Sequence, residues 1–210
     1  MNHNTPNTPG HLYVVAAPSG AGKTSLVRAL LAQEPGVRFS ISYTTRKQRP
    51  NEQHERDYFF VDKASFEKMV ADGEFLEHAQ VFDNYYGTSR SQVEKLLAQG
   101  ANVILEIDWQ GAQQIRRVMP ACKSIFILPP SREELERRLR GRGTDDETVI
   151  QRRLRDAVSD MSHWNEFDYV VVNNDFEKAL SELKAIVHGR GEPLRGDRQD
   201  LKPSIRTLLG

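Results

Sequence analysis

The sequence predicts an α/β fold: a parallel sheet covered by helices on both faces, interrupted by an inserted, mostly antiparallel subdomain. Three observations lead there. Short apolar runs rich in β-branched residues recur at "LYVVAA" (12–17), "NVILEI" (102–107), "SIFIL" (124–128) and "YVVVN" (169–173). Their apolar residues are consecutive, not alternating, which suits strands buried on both faces. Helical patterns follow or separate these runs, and strand–helix alternation marks a parallel sheet. The interval 39–87 breaks that rhythm with short alternating stretches such as "YFFV" and "FLEHAQVF", and is read as the insert.

Taken in order, residues 1–10 are polar and Pro/Asn-rich, the composition of a disordered arm. Strand 12–17 runs into "APSGAGKT" (17–24), and a helix is expected over 22–34. After the insert come helix 89–99, strand 102–107, helix 109–118, strand 124–128, helices 131–140 and 145–163, strand 169–173 and helix 175–188. Ser131 with Glu134, and Thr144 with Glu147, match the capping box that opens a helix. Residues 189–210 are charged and Gly/Pro-punctuated up to "SIRTLLG", and read as a tail with a short terminal helix.

Lys plus Arg equals Asp plus Glu at 29 each, so no global field points to nucleic acid or an acidic membrane, and any anion site must be local. The single cysteine, Cys122, excludes an intramolecular disulfide, and the histidines never fall at metal-ligand spacing. No apolar run approaches bilayer length, and the N-terminal stretch lacks the regions of a signal peptide, so the expected location is cytoplasmic. Assembly into a homo-oligomer is left open.

A strand, a glycine-rich turn and a helix opening with Lys and Thr have the order of a P-loop. There, backbone N–H groups and the helix N-terminus hold phosphates. Lys23 would reach the β/γ-phosphates and the Thr24 hydroxyl would bind Mg²⁺. The first position is Ala17 where the strict pattern has Gly, which the loop accepts if that residue keeps a negative φ. A P-loop names a nucleotide and no reaction. The Asn-Lys-x-Asp element of a GTPase is missing after the strand at 169, and so is the Ser-Gly-Gly-Gln of an ABC ATPase.

A kinase for a small acceptor needs a second anion site. "SISYTTRKQRPNEQHERDY" (40–58) offers Arg46 and Arg49 with hydroxyls from Ser42, Thr44, Thr45 and Tyr58, and guanidinium forks match phosphate oxygens bidentately. The bland alternative is a solvated basic loop. In "FLEHAQVFDNYYGTS" (75–89) one carboxylate, Glu77, stands among apolar residues. A carboxylate only accepts, so it suits the N1–H and 2-amino donors of guanine, which adenine lacks; the alternative is an ordinary strand acid.

With these segments in place, the chain resembles the bacterial guanylate kinases from about Leu12 to His188. The matching stretches are 17–24, "TTRKQRP" (44–50), "FLEHAQVFDNYYGTS", "IDWQGAQQIR" (107–116), "IFILPPS" (125–131) and "RRLRGRGTD" (137–145). The resemblance implies a P-loop three-layer core (11–40, 91–129 and 161–188), a GMP-binding subdomain (41–90) and a helical lid (130–160). It implies that Arg46, Arg49, Tyr58 and Tyr86 hold the GMP phosphate, and that Ser42, Glu77, Thr88 and Asp108 surround the guanine. Ala17, Pro18, Ser19, Gly20, Ala21, Gly22, Lys23, Thr24, Ser25 and Asn173 fall on the ATP side, with Arg138, Arg142 and Arg153 over the transferring phosphoryl group. ATP and GMP are the implied partners and Mg²⁺ the implied cofactor, held by Thr24 and, through water, by the acid at 106.

Two departures matter. Glu106 stands where the family has Asp, and Asn51 and Glu55 stand where it tends to place glycines. Asn tolerates a left-handed backbone and Glu does so poorly, so the turn before Tyr58 is the least determined local feature. Two other functions fit parts of the sequence: a kinase for another nucleoside monophosphate, and a guanylate-kinase-like module that binds without catalysis. Turnover with different acceptors separates all three.

Overall fold

The computed structural model describes residues 9–81, 83–141 and 146–210. Strand β1 (Leu12–Ala16) is buried at every residue, as consecutive apolar side chains require when both faces are covered. Helix α1 (Lys23–Gln33), strands β2 (Val37–Phe39), β3 (Tyr43–Thr44) and β4 (Phe59–Phe60), helix α2 (Lys63–Ala71) and strands β5 (Phe75–Val81) and β6 (Asn84–Ser89) follow. Then come α3 (Arg90–Ala98), β7 (Asn102–Glu106), α4 (Trp109–Val118), β8 (Lys123–Leu128), α5 (Arg132–Arg140), α6 (Glu147–Met161), β9 (Tyr169–Val172), α7 (Phe176–Val187) and α8 (Leu201–Leu209).

One sheet has five strands in the order β2-β7-β1-β8-β9. β2 pairs with β7 and β8 with β9 in parallel. The Val103 and Ile107 amides donate to the His11 and Val15 carbonyls, an equal advance on both chains that makes β7 and β1 parallel too. A second sheet runs β4-β3-β6-β5, antiparallel at β3–β6 and β5–β6 and parallel only at β3–β4. The α/β fold with a mostly antiparallel insert is therefore as the sequence predicts.

The chain divides into two compact units. The first holds residues up to Tyr13, Gly36–Leu105 and Gln110–Cys122; the second holds Val14–Pro35, Glu106–Trp109 and Lys123–Gly210. In the first, Phe66 of α2 is buried and stacks on Phe75 and Tyr85, at 4.7 and 5.6 Å between ring centroids, which fixes α2 against the small sheet. The Gln114 side chain exchanges two hydrogen bonds with the His78 backbone (3.1 and 2.9 Å), tying α4 to β5. In the second, Asp168 accepts from the Ser124 amide and hydroxyl (both 2.8 Å) where β8 and β9 begin.

Two elements go beyond the sequence reading and two expectations are corrected. β2 is a short strand whose middle residue, Arg38, is exposed, so it carries no apolar run. α2 was not predicted, since Phe66 is its one buried residue; its start is capped by Asp62, whose carboxylate accepts from the Ser65 amide at 2.8 Å. Ser131 caps α5 as expected, but α6 is capped by Asp146, which accepts from the Val149 amide; Thr144 lies outside the described residues. The segment 189–210 ends in the expected short helix, α8, but is packed and does not trail as a tail: Arg198 donates to the Val170 carbonyl (2.8 Å), and Leu201, Ile205 and Leu208 of α8 are buried. The Arg132 Nε donates to the Leu208 carbonyl at 2.5 Å, joining the end of α8 to the first residue of α5. The arm at 1–10 falls, up to residue 8, outside the described residues.

Candidate active site

The turn between β1 and α1 is built on two glycines with left-handed backbone, Gly20 (φ 92°) and Gly22 (φ 96°). A β-carbon on Gly22 would lie 2.3 Å from the Asn173 side-chain nitrogen, so no larger residue fits there without moving Asn173. Ala17 keeps a negative φ, the condition under which alanine is accepted at that position. Gly22 is the N-cap of α1 and offers no side-chain cap, and no acid stands in the first turn, so the helix start is open to an anion. A cavity of about 310 Å³ forms here, lined by Ala17, Pro18, Ser19, Gly20, Gly22, Lys23, Thr24 and Ser25.

The Lys23 ammonium donates to the Ile107 carbonyl at 3.1 Å. Lys23 is half-buried and lines the cavity; loss of solvent around its ammonium pulls its pKa below the usual lysine range, while Glu106, Asp108 and Asp160 partly oppose that pull. The Thr24 hydroxyl donates to a Glu106 carboxylate oxygen. On the far side of the same network, burial and the nearby Asp108 raise the pKa of Asp160, while a hydrogen bond from Trp109 holds it down. Trp109 in turn stacks on His163 at 3.5 Å between centroids. Asp108, expected beside the guanine, is thus placed within one electrostatic group with Lys23 and Asp160.

Arg138 of α5 reaches the turn itself. Its guanidinium donates to the Ala21 carbonyl (3.2 Å), the Asn173 carbonyl (3.0 Å) and Glu134 (2.7 Å). Asn173 Nδ2 donates to the same Ala21 carbonyl at 2.7 Å, so the P-loop is held from α5 and from the end of β9 together. Arg153 lies part-exposed on α6, and Arg142 lies outside the described residues. Glu134 is pulled to a pKa of about 2, chiefly by Arg137 and then by Arg138. A carboxylate depressed in the folded state stabilises above its ordinary range near 4.5 and loses that contribution as pH falls towards 2. The expected result is that the unfolding temperatures of the parent and Glu134→Gln converge as pH is lowered from 5 to about 2.5, measured by circular dichroism. A constant difference across that range would remove Glu134 as a source of the acid sensitivity.

In the first unit, Glu77 and Thr88 are 4% and 1% exposed and face each other across β5 and β6. The Thr88 hydroxyl donates to Glu77 Oε1 at 2.6 Å, and a bulge between Phe75 and Glu77 re-aims the acid at that register. Arg46 lies over the Tyr58 ring at 5.4 Å and interacts electrostatically with Tyr86, and the two tyrosine rings are 6.0 Å apart, so three of the four residues expected at a GMP phosphate are together. Arg49 is exposed nearby, and Ser42 accepts through its carbonyl from the Phe59 amide (2.9 Å).

The turn before Tyr58 resolves in an unexpected way. Asn51 keeps a negative φ, and Glu55 is the single non-glycine residue with a left-handed backbone among the described residues (φ 65°). Its amide donates to the Tyr58 carbonyl at 2.9 Å, which closes the turn and sets the tyrosine. That conformation costs roughly 1–2 kcal/mol in a residue with a β-carbon. Sequence reasoning missed Glu52, Gln114 and Asp160. The first is an acid in a basic loop, the second one amide among several, and the third a charge on a charged helix, so none stands out by type or spacing.

The family model "Guanylate kinase" matches residues 9–190. A curated guanylate kinase of Methylococcus capsulatus is 57% identical over 203 residues, covering 97% of this chain and all of its own. Another, of Yersinia pestis, is 58% identical over 192 residues, 90% of this chain and 92% of its own. Among solved structures, the crystal structure of guanylate kinase from Anaplasma phagocytophilum superposes with a TM-score of 0.72 at 35% identity, covering 88% of each chain. On the P-loop, the buried Glu77–Thr88 pair and a match running through nearly the whole sequence, this chain belongs to the guanylate kinase family.

Proposed function

We propose that the chain transfers the γ-phosphoryl group of ATP to the phosphate of GMP, reversibly, giving ADP and GDP in the cytoplasm. The observation that carries the choice of acceptor is the buried Glu77 carboxylate set by Thr88, an acceptor suited to guanine's two edge donors. Residues 41–90 form the GMP-binding part, with Arg46, Arg49, Tyr58 and Tyr86 on the phosphate and Ser42, Glu77, Thr88 and Asp108 around the base. The loop from Ala17 to Ser25 and Asn173 serve ATP, and residues 130–160 act as a lid carrying Arg138, Arg142 and Arg153.

No general base is needed. The acceptor phosphate has a second pKa near 6 and is largely the dianion at neutral pH. What remains is to align the two nucleotides and offset charge as it spreads over the transferring group, which falls to Lys23 and the arginines. The lid also excludes water, which would otherwise accept the phosphoryl group. Thr24 and Glu106 supply adjacent hard oxygen donors at the P-loop, a set that fits Mg²⁺ held mainly by phosphates and water. Held by Thr24 and, through water, by Glu106, it would supply positive charge to offset that of the phosphates.

An ADP-release assay with ATP and GMP, dGMP, AMP or UMP tests the proposal. The expected result is a kcat/KM for GMP at least about a hundredfold above that for AMP, from two mispaired edge contacts. Equal use of AMP or UMP would assign another acceptor, and no turnover with any of them would favour the binding module.

A further inference from the structure

We infer that Glu52 is a positioning residue for the GMP phosphate site: it holds Arg46 and the Arg49 backbone in the arrangement that receives the phosphate before GMP arrives. The inference rests on the reading of Arg46 and Arg49 as phosphate ligands. Glu52 Oε1 accepts from the Arg46 guanidinium at 2.7 Å, and Oε2 accepts from the Arg49 amide at 2.9 Å. One carboxylate thus ties both residues. The two paired side chains are largely covered, at 15% and 17% exposure, unlike a typical surface ion pair.

The surrounding contacts make this a fixed support. Arg46 lies between Glu52 and the rings of Tyr58 and Phe60, at 5.4 and 5.9 Å, and donates through its other terminal nitrogen to the Lys47 carbonyl at 3.0 Å. The Glu52 carbonyl accepts from Gln48 (2.6 Å) and its amide donates to the Arg49 carbonyl (3.0 Å), so the acid's own backbone is held by the same loop. Arginine is long and rotamer-rich, and a free one must be immobilised as its ligand binds. Glu52 does this in advance. It also repels an incoming phosphate, but its charge is already offset by the Arg46 guanidinium 2.7 Å away. Its loss frees the Arg46 side chain and the Arg49 backbone at once, and that effect is the larger.

The test is steady-state kinetics on Glu52→Gln. The expected result is a KM for GMP raised about tenfold, with kcat and the KM for ATP within about threefold of the parent. Guanosine, which lacks the phosphate, should inhibit parent and variant with the same constant. In an Arg46→Ala background the same change should move the KM for GMP less than about threefold, because the two act through one contact. A KM for GMP that is unchanged or lowered by Glu52→Gln overturns the inference. So does an equal weakening of guanosine and GMP, which would mark a general collapse of the loop. Should the glutamine variant unfold, Glu52→Asp takes its place, with a smaller rise in the KM for GMP expected and no rise overturning the inference. If Arg46→Ala leaves the KM for GMP unchanged, the phosphate-site reading fails, a result distinct from failure of Glu52 alone.

Discussion

Replacing Lys23 with methionine is expected to lower kcat about a thousandfold while leaving the fold intact. Methionine keeps most of the aliphatic bulk and removes the ammonium, so the change isolates charge at the transferring phosphoryl group. Loss of one preorganised donor in a water-poor site costs two to three orders of magnitude as a general rule. Stability should not fall in step. The half-buried ammonium has its pKa lowered mainly by desolvation, so its charged form is less at ease in the folded chain than in the unfolded one. A base depressed in this way makes the parent more stable as pH rises through its folded pKa towards 10.5, and the methionine variant should lack that rise. Single-turnover kinetics with saturating ATP and GMP, together with thermal unfolding at pH 7 and 9.5, measure both. A kcat within threefold of the parent would take Lys23 out of the reaction.

Glu77→Gln should cost most of the preference for GMP over AMP, about ten- to a hundredfold in the ratio of kcat/KM values. The amide keeps the size of the side chain but presents a donor where guanine also presents donors, leaving one buried group without an acceptor. Thr88 constrains the outcome. Its hydroxyl, 2.6 Å from Glu77 Oε1, can donate to the amide oxygen instead, which would turn the amide nitrogen towards the base. The variant should therefore bind GMP worse while AMP changes little. An unchanged ratio would assign the discrimination elsewhere.

Much of the core was legible because its strands carry a pattern no other element shares. β1, β7 and β8 have runs of consecutive buried residues, and the helices between them show apolar positions at helical spacing. Elements that bury little left little trace. β2 and α2 each bury one residue, Val37 and Phe66, and the cap that opens α2 is a single aspartate among many acids. The same divide runs through the candidate site. The P-loop is local in sequence, so its order of residues spells out its geometry. Glu77 and Thr88 are 11 residues apart and meet only through the register of β5 and β6. Glu52 meets Arg46 across a loop closed by the Glu52 amide on the Arg49 carbonyl, a fold-back that the residue types do not announce. A chemistry-bearing residue is readable when its partners are its neighbours, and hidden when a loop or a strand register introduces them.

The seating of α8 has a practical side. The family match ends at residue 190, which invites treating the remaining residues as dispensable or as a convenient place for a fusion. Yet the Leu208 carbonyl accepts from Arg132, and Gly210 lies so near that a β-carbon there would stand 2.9 Å from the same guanidinium. Arg132 opens the helix that carries Arg138 to the P-loop. Removing residues 201–210, or attaching an affinity handle directly at Gly210, would therefore disturb the support under the P-loop arginine.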